Sequence, residues 1–143
     1  MSESMEHQFM GQHVLGEMYG ISSELLNDYH YLNSLLEKGI KESGATLCSS
    51  QKKIFQPSGL TILALLSESH ASIHTYPDYG SLFFDAFTCG LECQPIKIAE
   101  YLIQGLKPKK HNLRTIMRGD TEIIPAGLGC ETIESSKPQN LVV

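Results

Sequence analysis

Leu66-Ser67-Glu68-Ser69-His70-Ala71-Ser72-Ile73-His74-Thr75-Tyr76-Pro77-Asp78-Tyr79-Gly80 decides how this chain folds, and Phe87-Thr88-Cys89-Gly90 completes it. Just before it, Leu60 to Leu66 is apolar enough for a buried strand. Ser72, His74 and Tyr76 then alternate with Ile73 and Thr75, the two-residue period of a second strand. Pro77-Asp78-Tyr79-Gly80 is turn chemistry, because proline pre-sets φ and glycine accepts the left-handed region. Leu82 to Thr88 predicts a third strand that delivers Cys89. A serine, a histidine and a thiol are thereby expected on adjacent strands, an arrangement that predicts an active site.

Outward from this block, Gly11 to Tyr19 alternates loosely and predicts a strand ended by Gly20. Asp28 is a good N-cap for a helix with Leu32, Leu35, Leu36 and Ile40 on one face, and Gly44 supplies its left-handed stop. Ala45 to Phe55 predicts a strand bulged around Ser49-Ser50, and Pro57-Ser58-Gly59 turns into the apolar strand. Pro95 opens a second helix carrying Ile96, Ala99, Leu102, Ile103 and Leu106 on one face, closed by Pro108. His111 to Arg118 reads as the last strand, between a lead-in over residues 1–10 and an extended tail from Gly119. This order predicts an α+β two-layer sandwich, an antiparallel sheet with two helices on one face.

The 143 residues predict one domain, 1–143, with a single core. A net charge of −5 gives no reason to expect a nucleic-acid partner. The basic run Lys107 to Lys110 with His111 reads as a solvated loop. No apolar run reaches the length needed to span a membrane, and the polar, acidic N-terminus lacks a secretory pattern, so the expected location is the cytoplasm. There the cysteines at 48, 89, 93 and 130 are expected to stay reduced. The spacing of Cys89 and Cys93 does not suit a zinc knuckle and no second pair matches it, so no metal site is predicted.

Glu68-Ser69-His70, Ile73-His74-Thr75-Tyr76-Pro77-Asp78-Tyr79-Gly80 and Asp85-Ala86-Phe87-Thr88-Cys89-Gly90 together resemble the core of the prokaryotic S-adenosylmethionine decarboxylase proenzymes. The likeness extends to Gly11-Gln12-His13, Leu25-Leu26-Asn27-Asp28, Phe55-Gln56-Pro57-Ser58-Gly59 and Arg118-Gly119. It implies a two-layer protomer that dimerises into a four-layer αββα assembly. It also implies self-cleavage between Glu68 and Ser69, giving a beta chain of residues 1–68 and an alpha chain of residues 69–143. Ser69 Oγ attacks the Glu68 carbonyl, the resulting ester eliminates, and Ser69 becomes a covalent pyruvoyl cofactor. That carbonyl takes the place of pyridoxal phosphate as electron sink. The residues agree, since the lysines lie outside the central block and Ser67-Glu68-Ser69-His70-Ala71 lacks the glycines of a hydrolase elbow.

The resemblance further assigns proton return to Cys89, proton handling during cleavage to His74 and processing support to Thr61. It places Phe55 and Tyr76 around adenine and Asp78 on the ribose. Tyr76 stands where many members have tryptophan, Asp78 where glutamate is common, Thr61-Ile62 where serine and glycine recur, and Gly20-Ile21 where Gly-Cys is common. His13, His70 and Arg118 match family positions with no role attached. The implied activity is decarboxylation of S-adenosylmethionine to the aminopropyl donor for spermidine synthesis, by a homodimer of cleaved protomers. One rival is a pyruvoyl enzyme acting on another amino acid, such as arginine or ornithine. A second is a non-catalytic regulatory homologue, against which intact Ser69, His74 and Cys89 argue.

Overall fold

A computed structural model describes residues 8–119 and 126–127 of the chain. The sequence readings for residues 1–7 and for the tail with Pro125, Gly129 and Cys130 fall outside them. The strands are β1 (Gly11–Tyr19), β2 (Leu47–Ile54), β3 (Leu60–Leu66), β4 (Ser69–Tyr76), β5 (Ser81–Cys89) and β6 (Lys110–Arg118). The helices are α1 (Ser23–Leu26), α2 (Tyr29–Ser43) and α3 (Ile96–Leu106), and Pro77–Tyr79 forms a 3-10 turn. The six strands make one sheet in the order β2-β3-β4-β5-β1-β6, antiparallel throughout.

Local chemistry sets the helix ends. Asp28 Oδ1 accepts from the Tyr31 N–H at 3.0 Å, and Gly44 closes α2 at φ 89°. Thr75 Oγ1 donates to the Leu26 carbonyl at 2.8 Å, tying the one-turn α1 to β4. Leu32, Leu36 and Ile40 of α2 and Ile98 and Leu102 of α3 share a core with Val14, Met18, Ile62, Ile73 and Phe84 of the sheet. Both long helices therefore cover one face. The other face carries the alternate residues, and there Leu63, Leu65 and Phe83 are exposed. Lys52 and Lys53 lie on edge strand β2, where charge discourages further strand pairing.

Three details depart from the sequence reading. The four-residue α1 is too short to leave a periodic signal. The bulge in β2 falls at Cys48, between Leu47 and Ser49, beside the expected Ser49-Ser50. β4 begins at Ser69 rather than Ser72, so the serine and both neighbouring histidines lie on a single strand.

Candidate active site

β4 leaves the Ser67-Glu68 turn at Ser69, whose φ of 144° is one that side-chain-bearing residues avoid. Such a conformation costs on the order of 1–3 kcal/mol and clusters at functional sites. Adjacent strand residues ordinarily point to opposite faces. Here the unusual φ lets Ser69 Oγ come within 3.2 Å of Nδ1 of its own neighbour, His70. Glu68 is buried: its carbonyl accepts from the Cys89 N–H at 2.9 Å and its Oε1 from the Thr46 N–H at 2.8 Å. Cys89 follows Thr88, the cross-strand partner of Ser69. The Glu68–Ser69 peptide and Cys89 thus share one end of β4 and β5.

Cys89, Cys93, Glu68 and Thr46 line a cleft of about 360 Å³ at this end. Burial pushes the Cys93 thiol pKa up, and Glu68, Cys89 and Glu92 add to the shift. Cys93 therefore stays protonated at neutral pH.

Beside Ser69, four strands contribute to one polar network. Asp85 Oδ2 meets His70 Nε2 at 2.9 Å and His13 Nε2 at 2.8 Å, Ser72 Oγ bonds Asp85 Oδ1, and Arg118 reaches His13 Nδ1 at 3.4 Å. Burial acts to raise the Asp85 pKa, but bonds from Ser72, His13 and His70 outweigh it and hold the carboxyl below the usual carboxylate value. The ligand atoms of His13, His70 and Asp85 lie within 4.8 Å of one another. That is a donor set a divalent ion could use, although both histidine contacts have hydrogen-bond lengths.

The other end of β4 carries a second cleft, of about 280 Å³, lined by Phe55, Thr61, His74, Tyr76 and Asp78 among others. Thr61 Oγ1 sits 2.9 Å from His74 Nδ1 across the β3–β4 pair. Phe55 is held by a turn in which its N–H bonds the Gly59 carbonyl at 2.9 Å, while the Gly59 N–H bonds Asn27 Oδ1 at 2.9 Å. Phe55 and Tyr76 are both half-exposed, and the Tyr76 ring lies 5.0 Å from that of Phe83.

The sequence reading expected serine, thiol and histidine together. Within one protomer, Ser69 and Cys89 lie at the same end of the β4–β5 pair, but the histidine bonded to Ser69 is His70. His74 stands five residues further along a continuous strand, a span of about 16 Å at ~3.3 Å per residue. All five residues proposed for substrate and processing, Phe55, Thr61, His74, Tyr76 and Asp78, share the far cleft instead. Asp85 was visible as part of a motif but carried no role. Its contacts with His13 and His70 come from strand register and leave no local pattern.

The family model described as S-adenosylmethionine decarboxylase matches residues 12–119. S-adenosylmethionine decarboxylase proenzyme 2 of Bacillus cereus is 39% identical over 122 residues, spanning 85% of this chain and 99% of that protein. The S-adenosylmethionine decarboxylase proenzyme of Brevibacillus brevis is 38% identical over 133 residues, spanning 93% of this chain and all of that protein (100%). The crystal structure of the adenosylmethionine decarboxylase from Aquifex aeolicus superposes with a TM-score of 0.73 at 33% identity, covering 83% of this chain and 98% of that one.

Proposed function

The chain belongs to the S-adenosylmethionine decarboxylase family, and from that premise we propose how its two clefts divide the work of one enzyme. The enzyme decarboxylates S-adenosylmethionine, yielding the aminopropyl donor used in spermidine synthesis. It matures by cutting itself between Glu68 and Ser69 into residues 1–68 and 69–143. The pyruvoyl group formed from Ser69 supplies the carbonyl that accepts the electrons of the broken carboxylate bond. Cys89 returns a proton to the substrate carbon. Phe55 and Tyr76 hold adenine, Asp78 accepts from the ribose hydroxyls, and His74 with Thr61 moves protons during maturation.

The single observation that carries the substrate reading is the far cleft, because two half-exposed aromatic rings and a carboxylate line the same space as His74 and Thr61. A small cationic amino acid would need no aromatic pair.

We also infer a homodimer paired sheet to sheet. The uncovered face exposes Leu63 (50%), Leu65 (56%), Phe83 (41%) and Ile116 (49%) around the polar network of His13, His70, Ser72 and Asp85, a mixed surface with large apolar side chains left for a partner to cover. Pairing about a two-fold axis would also bring the Ser69–Cys89 end of one protomer to the Phe55–His74 cleft of its partner. A cytoplasmic home suits the chemistry, since Cys89 must remain a thiol.

The test is carbon dioxide release from adenosylmethionine, arginine and ornithine measured side by side, with intact mass recorded on the same sample. Two fragments, the second lighter than encoded, and turnover of adenosylmethionine alone are expected. A ribose–carboxylate bond is worth about 1.5–3 kcal/mol, so Asp78→Ala should weaken adenosylmethionine use about tenfold or more. Asp78→Glu should be tolerated. Efficient arginine or ornithine turnover, lost in Asp78→Asn, would transfer the assignment to a different amino acid.

A further inference from the structure

We propose that His70 is the general base that starts self-cleavage and that Asp85 positions it, so that Ser69, His70 and Asp85 act together on the Glu68 carbonyl. This rests on the reading that the chain cuts itself at Glu68–Ser69, and it names the groups that perform the first step.

The hydrogen-bond network fixes where the protons are. An ionised carboxylate can only accept. The Nε2 atoms of His70 and His13 must therefore both donate to Asp85 Oδ2, at 2.9 and 2.8 Å, while Ser72 Oγ donates to Oδ1. Neutral His70 then carries its proton on Nε2 and leaves Nδ1 bare, and Ser69 Oγ donates to that atom at 3.2 Å. His13 is fixed the same way, its Nδ1 accepting from Arg118 at 3.4 Å. Of the two neutral tautomers, only this one gives every polar atom of the network a complementary partner. The order is that of a serine, an oriented imidazole and a buried carboxylate, the arrangement that activates a hydroxyl elsewhere.

The electrophile is prepared as well. Negative charge develops on the Glu68 carbonyl oxygen as Oγ adds, and the Cys89 N–H already donates to that oxygen at 2.9 Å. His70 Nδ1 takes the Oγ proton while Oγ bonds to the Glu68 carbonyl carbon. The carbon–nitrogen bond then breaks as the same proton passes to the Ser69 nitrogen, leaving an ester and an α-amine. Nothing is oxidised or reduced. Breaking that bond also removes the constraint holding Ser69 at φ 144°. The two histidines thus divide the work: His70 makes the ester, and His74, brought to it from the other protomer by the pairing proposed above, serves the elimination that consumes it.

The experiment follows full-length chain made by cell-free synthesis, with cutting timed by intact mass in the presence and absence of hydroxylamine, which cleaves esters. An uncut wild type would remove the self-cleavage reading itself. With the wild type cutting, His70→Ala and His70→Gln should slow by about a hundredfold or more. Both should accumulate precursor with no hydroxylamine-sensitive ester, whereas His74→Ala should accumulate that ester. His70→Gln keeps an amide donor for Asp85, which preserves the fold but supplies no base. Added imidazole should restore cutting in His70→Ala. Asp85→Asn should slow cutting at least about tenfold, with Asp85→Glu recovering part of it, as expected of a positioning residue. Near-wild-type cutting in His70→Gln, an ester trapped in either His70 variant, or a His70→Ala chain indifferent to imidazole overturns the proposal.

Discussion

Cys89 presents two different groups to the end of the sheet where cleavage and proton return are proposed. Its N–H holds the Glu68 carbonyl, and its side chain lines the cleft that Glu68 and Cys93 share. Removing the thiol leaves the backbone donor in place. Cys89→Ala should therefore still be found as two fragments by mass, yet release carbon dioxide about 10²–10⁴-fold more slowly. Wild-type turnover in that variant would end the proton-donor role. Asp85 offers a second reading at this scale, through stability. Its folded pKa is depressed, so its contribution is fully present above the unfolded carboxylate value, near 3.9, and disappears as pH falls through the lower folded value. In a Ser69→Ala background, where no chain is cut, Asp85→Asn should flatten the loss of thermal stability below about pH 4. Parallel acid profiles for the two proteins would mean that the network does not hold the carboxylate.

The elements are where most of the fold could be read in advance. Asp28 and Gly44 mark the ends of α2 in the sequence, and the structure caps the helix at both. The alternation in β1 and β5 survives because one sheet face is covered and the other is not. What escaped reading was whatever depends on two elements meeting. α1 is one turn long, and the start of β4 at Ser69 is hidden because Ser69 is polar where the alternation kept by His70-Ala71-Ser72-Ile73-His74 would place an apolar residue. The meeting of His13, His70 and Asp85 needs the register of β1, β4 and β5, which no window of sequence contains. The α2–α3 contact is of the same kind. A Cβ at Gly39 would lie 2.9 Å from the Ile98 Cα, a backbone atom, whereas one at Gly105 would meet only the movable end of Leu35, at 2.5 Å. Gly39→Ala should therefore destabilise by about 1–2 kcal/mol, overpacking exceeding the gain in helix propensity. Gly105→Ala should cost less. Thermal unfolding of both decides it, and a Gly39→Ala protein at least as stable as wild type would mean that the helices can separate without penalty.

For the whole molecule, the governing fact is that β4 is continuous from Ser69 to Tyr76, so Ser69 and His74 are held near opposite ends of one strand. A monomer would keep the thiol about 16 Å of strand away from the cleft that holds Phe55, Tyr76 and Asp78, too far for one substrate molecule to engage both productively. The proposed two-fold pairing of uncovered faces would make two sites, each taking its Ser69–Cys89 end from one protomer and its aromatic cleft from the other. Damage placed at the two ends should then be separable. Cys89→Ala spoils the first half-site, and the double variant Tyr76→Ala/Asp78→Ala spoils the second. Each is expected to be nearly inactive alone. In a mixed dimer one site inherits both defects and the other inherits neither. Random assembly makes half of the dimers mixed, so co-expression should restore about a quarter of the wild-type rate from two inactive parents. A site contained within one protomer predicts no recovery at all, because every site would keep one defect. Size-exclusion chromatography of the same samples checks that dimers form, and a co-expressed dimer with only the summed activity of its parents would place the whole reaction within one protomer.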